Sequence, residues 1–210
     1  MEFNLVNKLL VITSLGSEWV LWLLILLSVV SLGVIVERAI FFSRIRINYP
    51  AFSQAITQKL IDDDIRGIEA ICHASPSIES QTVLRGLHYL PKGVGAMEQG
   101  MTGFLTGERQ KLDHGLVVLG TLGSNAPFIG LFGTVIGIIQ AFRDLATNPA
   151  GGPSVVMGGI SEALIATAVG LIVAIPAIIS FNGYMRVVKR KVSNAEAMKN
   201  LVIAHFSQRD

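Results

Sequence analysis

The sequence predicts an all-α membrane protein with three transmembrane helices and long cytoplasmic helical extensions. The 210 residues are 51% hydrophobic and only 15% charged, with a mean hydropathy of +0.57, which is too apolar for an ordinary soluble domain. Three segments are apolar over the length that a helix needs to cross a bilayer. Between the first two of them, apolar residues recur at helical spacing among charged neighbours.

The first apolar segment predicts a retained membrane anchor over residues 19–42. It carries no charge between Glu18 and Glu37. The preceding residues 1–18 are scarcely basic, and no small-residue cleavage site follows the apolar stretch, so the pattern is not that of a secretory signal. We expect residues 1–18 to form a short segment on the outer side of the membrane.

The second and third apolar segments predict two further spans. Residues 115–142 contain no Asp, Glu, Lys or Arg, and this stretch is longer than the roughly 20 residues that a bilayer requires. We therefore expect this helix to tilt or to project from the membrane. Residues 143–154 form the predicted outer loop, and residues 155–185 form the third span.

Basic residues flank the three spans unevenly, which predicts their orientation because short loops rich in Lys and Arg stay in the cytoplasm. The opposite ends of the spans carry little beyond Lys8 and Arg143. The N-terminus is therefore predicted to be periplasmic and the C-terminus cytoplasmic. The basic residues on the predicted cytoplasmic side are Arg38, Arg44, Arg46, Arg109, Lys111, Arg186, Lys189, Arg190 and Lys191.

The cytoplasmic part is predicted to be helical. Residues 43–114 form an insertion with two or three amphipathic helices, and residues 186–210 continue the third span as a cytoplasmic helix. A Pro and Gly turn at 91–100 precedes a last helix at 101–113, which we expect to run on into the second span. The run Asp62–Asp64 favours a solvated helix start over a divalent-ion site, because consecutive carboxylates project in different directions on a helix.

Several classes of function receive no support. The net charge is only +2 and no basic run is interleaved with aromatic residues, so we expect no nucleic-acid partner. Cys72 and His73 provide at most half of a zinc site, and we expect no metal. No phosphate-binding loop is present, and Ser124 and His114 lie roughly 15 Å apart along one predicted helix. We therefore predict that the protein is not an enzyme and uses no cofactor other than protons as a coupling ion.

Small residues recur every three or four positions in the second and third spans. Such stripes let helix backbones approach closely where apolar burial cannot drive association, and they favour oligomerisation. Pro127 and Pro176 each remove one backbone hydrogen bond and predict local kinks. The residues predicted to pack are Gly130, Gly133 and Gly137 in the second span and Ala163, Ala166, Gly170, Ala174 and Ala177 in the third.

Three polar residues stand inside these spans. A Thr134 or Thr167 hydroxyl can bond the backbone of its own helix, which is the plain structural interpretation of each. Glu162 is either a charge at a helix start, favoured by the helix dipole, or a carboxylate inside the hydrocarbon. A helix that starts at Ser154 would place it roughly 12 Å along the axis, and therefore inside. Glu162 and Thr167 lie about 140° apart around a helix, so they face different surfaces.

Two stretches carry a resemblance to a known family. Residues 126–142, APFIGLFGTVIGIIQAF, and residues 160–177, ISEALIATAVGLIVAIPA, resemble the ExbB/TolQ family of inner-membrane proton-channel proteins, with MotA-type stators as more distant relatives. The resemblance implies a multi-pass protein of the bacterial inner membrane. It also implies that Thr134 and Thr167 match hydroxyl positions beside a partner's essential aspartate and that Glu162 matches a lumen-facing glutamate.

The same resemblance implies an assembly and a function. Five copies would form a ring around the single transmembrane helices of two copies of an ExbD/TolR-like partner, which carries the aspartate. Proton flow would then drive mechanical work on the cell envelope, with a TonB- or TolA-like protein as a further partner. The short N-terminal segment is closer to TolQ and to compact ExbB-like proteins. Import, envelope maintenance and a gliding-type motor remain open, and a passive scaffold that anchors a single-span partner is the alternative function.

Overall fold

The computed structural model describes residues 16–149 and 152–208. The predicted periplasmic segment 1–18, with Lys8, therefore lies almost wholly outside the described residues. Within these two ranges the chain forms α-helices joined by short turns, and it forms no strand. The predicted all-α class is confirmed.

Seven α-helices follow one another in the described ranges. A 3₁₀ turn at Leu90–Lys92 separates the helix Ile78–Tyr89 from the helix Val94–Asp113. The bounds are α1 Glu18–Arg44, α2 Tyr49–Ile61, α3 Ile65–His73, α4 Ile78–Tyr89, α5 Val94–Asp113, α6 Leu116–Thr147 and α7 Gly152–Ser207.

Three of these helices, α1, α6 and α7, are long and apolar enough to cross a membrane. Large apolar side chains are exposed along all three helices. A soluble monomer rarely exposes so large an apolar area to water. The prediction of a membrane protein with three spanning helices is confirmed. The exact span limits and the sides of the membrane stay predictions. Exposed apolar residues include Trp22, Leu26, Val29, Phe128, Leu131, Ile172 and Ile179.

The insertion differs from the prediction in its helix count and in its last helix. It holds four α-helices, α2 to α5, where two or three were predicted. The last of them, α5, begins at Val94 and not at Met101, because Gly93 with φ of 90° already completes the turn after the 3₁₀ segment. Most of the predicted turn at 91–100 is therefore helix.

The expectation that α5 runs on into the second span is wrong. The helix ends at Asp113, His114 adopts an extended conformation and Gly115 has a φ of 77°, which glycine adopts without strain. A new helix, α6, begins at Leu116. The predicted outer loop is also shorter than 143–154, since α6 continues to Thr147 and α7 begins at Gly152.

The run Asp62–Asp64 ends one helix and starts the next, so it is only partly the predicted helix start. Asp62 is the C-cap residue of α2. Asp63 has a φ of 60°, an uncommon backbone conformation for a residue with a side chain. Asp64 begins α3, and its side chain accepts a hydrogen bond from the Gly67 backbone N–H at 2.9 Å.

The chain divides into two compact units, each with its own core. The first contains the described residues up to Val36 together with Leu116–Asn182, and its core includes Val20 and Leu24 packed with Ile136 and Ala174. The second contains Glu37–Gly115 and the residues from Gly183 onward. Its core joins α2 to α5 with the end of α7 and includes Ile56, Ile68, Met97, Met101, Met198 and Val202.

Candidate functional site

The glycines of α6 lie directly against the backbone of α7. A Cβ atom placed on Gly130 would come within 2.7 Å of the Ala166 carbonyl oxygen and 3.0 Å of the Thr167 Cα. On the opposite helix, a Cβ on Gly170 would meet the Ala126 carbonyl oxygen at 2.7 Å and the Gly130 Cα at 3.1 Å. The two helices therefore touch through backbone atoms, and no side chain fits between them.

The same contact continues along both helices. A Cβ on Gly133 would lie 2.8 Å from the Ala166 Cβ, and one on Gly137 would lie 2.6 Å from the Ala163 Cβ. Ala174 is buried in the same core. The two small-residue stripes thus pack against each other within one chain, and the oligomer expected from the sequence stays a prediction.

Pro127 and Pro176 lie inside helices that continue on both sides of them. Neither proline ends its helix. A local kink at each position stays a prediction, which follows from the loss of one backbone hydrogen bond at each proline.

Thr134 belongs to the buried face of α6 and satisfies its own hydroxyl. Thr134 is only 6% exposed. Its Oγ1 donates to the carbonyl oxygen of Leu131, three residues earlier on the same helix, at 2.6 Å. The plain structural interpretation therefore describes Thr134 as it stands in the single chain.

Thr167 differs. Its Cα lies against Gly130 of α6, and its hydroxyl oxygen is buried and has no hydrogen-bond partner among the residues that the structure describes. A buried hydroxyl without a partner costs about 1–3 kcal/mol. A group on a second molecule can bond this oxygen only after a change of the Thr167 rotamer, because the oxygen is not accessible in the single chain.

Glu162 lies on an exposed position of α7, ten residues after Gly152. Because the helix begins at Gly152 and not at Ser154, the carboxylate stands roughly 15 Å along the axis. The side chain lines a cavity of about 150 Å³ at the N-terminal end of α1 and α7 and the C-terminal end of α6. Polar residues that share this lining are Ser17, Glu18, Gln140 and Asp144.

Three carboxylates therefore meet in one cavity, and sequence reasoning identified only one of them. In the sequence, Glu18 stands at the edge of the first predicted span, and Asp144 falls in the predicted loop 143–154. Gln140 and Asp144 are four residues apart, so they share one face of α6, and this spacing was the available signal. Neither Thr134 nor Thr167 lines the cavity, so the structure separates the carboxylate from the two hydroxyls.

A comparison of the amino-acid sequence with models of known protein families identifies the family of this chain. The model of the MotA/TolQ/ExbB proton channel family matches residues 75–197, which is more than half of the chain. The chain belongs to the MotA/TolQ/ExbB family. The matched range contains Thr134, Glu162 and Thr167, and it also contains the facing small-residue stripes of α6 and α7.

Individual relatives of the MotA/TolQ/ExbB family are similar over shorter stretches. The chain is 52% identical over 77 residues to the Tol-Pal system protein TolQ of Pseudomonas aeruginosa, which is 37% of this chain and 33% of that protein. It is 44% identical over 98 residues to the biopolymer transport protein ExbB of Pseudomonas putida, which is 45% of this chain and 30% of that protein.

A third relative, the biopolymer transport protein ExbB of Neisseria gonorrhoeae, is 40% identical over 102 residues, which is 48% of this chain and 46% of that protein. The chain thus spans less than half the length of each of these MotA/TolQ/ExbB proteins. Similarity to proteins named TolQ and to proteins named ExbB supports an ExbB/TolQ-like role without separating the two.

Proposed function

We propose that this chain is the ExbB/TolQ-like subunit of a proton-driven motor in the bacterial inner membrane, with its N-terminus in the periplasm and its C-terminus in the cytoplasm. Five copies enclose two copies of an ExbD/TolR-like partner, whose single transmembrane helix carries an aspartate. Proton flow past that aspartate drives mechanical work on the cell envelope through a TonB- or TolA-like protein.

The observation that carries the proposal is the Thr167 hydroxyl, which is buried in a spanning helix and has no hydrogen-bond partner among the described residues. A polar group inside the membrane is expensive and is retained where it serves a function. Once a change of rotamer turns this hydroxyl toward a partner helix, a carboxyl group there matches its need, since a carboxyl accepts a hydrogen bond when ionised and can donate one when protonated.

The cavity beside Glu162 supplies the second element of the proposal. Glu18, Asp144 and Glu162 concentrate negative charge at one end of the three spanning helices, which is the periplasmic end in the proposed orientation. Carboxylates at this position attract protons from the periplasm and release them toward the partner's aspartate. One charge that crosses 100 mV releases about 2.3 kcal/mol, which sets the energy available for each proton.

Proton flux into liposomes tests the proposal. The chain is reconstituted with an ExbD/TolR-like single-span protein, and a pH-sensitive dye reports acidification under an imposed membrane potential. We expect flux that requires the partner, that disappears when the partner's aspartate is replaced by Asn, and that falls at least about tenfold in Glu162→Gln. The matched control is Glu98→Gln, an exposed carboxylate of α5 that lies outside the cavity.

A passive scaffold is the second candidate, because the exposed apolar faces of the spanning helices would by themselves allow a partner helix to pack there without any proton transfer. The same experiment separates the two functions. A correctly assembled complex that conducts no protons supports the scaffold and overturns the motor. Assembly is checked by co-purification of the two proteins from the same liposomes.

A further inference from the structure

A cavity of about 930 Å³ lies within the second compact unit, and none of its lining residues belongs to the candidate functional site described above. It is formed by the end of α1, the turn into α2, the start of α4 and the middle of α7. The volume falls in the range of pockets that hold small molecules, about 300–1,000 Å³. The residues that decide its chemistry are Phe42, Arg46, Glu79, Val187, Arg190 and Lys191.

Glu79 is a carboxylate in an unusual position. The residue is 0% exposed, and neither of its carboxyl oxygens has a hydrogen-bond partner among the residues that the structure describes. The neighbouring Ser77, Ser80 and Thr82 hydroxyls do not serve it, because they bond one another or their own helix. A buried charge that lacks donors is strongly disfavoured unless a bound molecule supplies them.

Lys191 does not fully meet this need. Its Nζ lies 3.9 Å from one Glu79 oxygen, which is too far for a hydrogen bond, and it donates instead to the Ile45 carbonyl oxygen at 2.6 Å. Burial lowers the pKa of Lys191, and the nearby Glu79 carboxylate opposes that shift. The sequence pattern counted Lys191 only as a topology signal, whereas the structure buries it to 7% exposure.

The charged residues around the cavity favour a ligand that carries both a negative and a positive charge. Arg46, Arg190 and Lys191 present three cationic groups, which suit a phosphate. Glu79 presents a buried carboxylate that repels a simple anion and calls for a cationic hydrogen-bond donor. A zwitterion with a phosphate and an ammonium group satisfies both demands at once.

The position along the sequence points to a lipid as the source of this zwitterion. Phe42 is the last residue of the first predicted span, and Val187 lies two residues beyond the third, so the cavity opens at the level of lipid head groups. Phe42 stacks on Tyr184 with ring centroids 5.4 Å apart, and aromatic side chains favour this interface. Basic pockets beside spanning helices on the cytoplasmic side bind phospholipid head groups.

We propose that this cavity binds the head group of phosphatidylethanolamine from the cytoplasmic leaflet. The phosphate lies against Arg46, Arg190 and Lys191, and the ammonium donates to Glu79. Phe42 and Val187 cover the start of the acyl chains. The inner-leaflet side rests on the orientation proposed above, but the binding itself does not depend on proton transport.

Native mass spectrometry of the purified protein with added lipids tests the site. The decisive pair is phosphatidylethanolamine and phosphatidylcholine, which carry the same charges, while only the former has N–H donors. We expect phosphatidylethanolamine to bind about tenfold more tightly, because the trimethylammonium group cannot donate to Glu79. Glu79→Gln should remove most of this preference, and Arg190→Gln should weaken both lipids alike.

Controls separate the site from general lipid affinity. Lys189→Gln removes an exposed cation from the same helix without touching the cavity, so it should leave both affinities unchanged. Thermal unfolding in detergent shows whether each variant folds. If Glu79→Gln does not fold, Arg190→Gln still tests the phosphate contact, because Arg190 is exposed and its replacement leaves the core intact, and the comparison of the two lipids on the unmodified protein still tests the ammonium contact.

Three results would overturn the proposal. Equal binding of the two lipids by the unmodified protein would remove the role of Glu79 as an ammonium acceptor. Tighter binding of phosphatidylglycerol than of phosphatidylethanolamine would make the cavity a site for anions alone. Binding of free phosphoethanolamine as tight as that of the intact lipid would assign the cavity to a soluble metabolite and not to a membrane lipid.

Discussion

The Thr134 hydroxyl donates to the Leu131 carbonyl oxygen of its own helix, whereas the Thr167 hydroxyl on the neighbouring helix is buried without a partner among the described residues. Two threonines that look equivalent in the sequence are therefore in different chemical states. Thr134 is complete within the chain. Thr167 has unused hydrogen-bonding capacity, which a second molecule can use after the Thr167 side chain changes rotamer.

Replacing each threonine by valine is expected to separate these states. Thr167→Val removes the unused hydroxyl and should lower partner-dependent proton flux about tenfold, which is the equivalent of one hydrogen bond to a charged group. Thr134→Val removes a bond that the helix can spare and should lower flux less than about threefold. Liposome flux with the partner present measures both.

Thr167→Ser is the control for this pair, since it keeps the hydroxyl and removes only a methyl group. It should retain most of the flux. Equal losses in Thr167→Val and Thr134→Val would show that the unused hydroxyl is not what distinguishes the two positions.

Gly130→Ala should destabilise the first unit, because the new methyl group would lie 2.7 Å from the Ala166 carbonyl oxygen and the α7 backbone cannot withdraw cheaply. Overpacking of this kind typically costs about 1–3 kcal/mol. Gly33→Ala is the matched control, since it also lies in a spanning helix but has nothing within 4 Å of the added Cβ. Thermal unfolding of the protein in detergent should show a lower midpoint for Gly130→Ala and an unchanged or higher one for Gly33→Ala.

A second test addresses the same contact from the other helix. Gly170→Ala also presses on Gly130, with a Cβ to Cα distance of 3.1 Å, so its cost should not add to that of Gly130→Ala once the helices have separated. Full additivity in the double variant would contradict a shared backbone contact.

Much of the fold could be predicted from the sequence because the membrane imposes simple requirements. A spanning helix must be long, apolar and nearly free of charge, and α1, α6 and α7 meet that requirement. Helix limits were harder to predict. Gly115 interrupts the helix between α5 and α6, at a point where the pattern of apolar residues continues. Glycine inside an apolar run indicates either close packing or a break, and only its backbone angle decides which.

The candidate site was predictable in part for a related reason. Glu162 and Thr167 are conspicuous because polar groups are rare inside spanning helices. Glu18 and Asp144, which line the cavity together with Glu162, lie at helix ends, where charges are common. No feature of the sequence therefore distinguishes them as site residues before the three helices are assembled. Glu79 and Lys191 are 112 positions apart, and their burial results from tertiary packing that no local pattern reports.

Cys72 should react slowly with thiol reagents. The residue is 0% exposed, and burial raises the pKa of its thiol to about 12, so almost no thiolate is present between pH 7 and pH 9. The control is Ala70→Cys in a Cys72→Ala background, which places a thiol on an exposed position of the same helix. Reaction with a disulfide reagent at pH 8 should be at least about a hundredfold slower for Cys72.

Denaturant provides the complementary measurement, since unfolding of the second unit exposes Cys72. The rate should then rise to that of the exposed thiol. Comparable rates for the two folded proteins would mean that Cys72 is accessible and that its helix opens readily.

The Asp64 carboxylate joins two helices of the second unit, and its contribution to stability should depend on pH. One oxygen accepts from the Lys59 Nζ at 2.7 Å and the other from the Gly67 backbone N–H at 2.9 Å. The Lys59 bond, followed by the Gly67 bond, lowers the pKa of Asp64 in the folded protein. A carboxyl group with a lowered folded pKa stabilises the protein above its unfolded value, near 3.8, and this stabilisation is lost as the pH falls through the lowered folded value.

Asp64→Ala should therefore lower the thermal midpoint at pH 7, and the difference from the unmodified protein should shrink as the pH falls below 3.8. Asp64→Asn should show an intermediate effect, because an amide oxygen still accepts the Gly67 N–H while the ion pair with Lys59 is lost. Asp62→Asn is the control, since that exposed carboxylate accepts, within the described part of the chain, one hydrogen bond, from the Gln58 side chain at 3.2 Å. An Asp64→Ala difference that is constant from pH 7 to acid would mean that the carboxylate charge contributes nothing to the junction between α2 and α3.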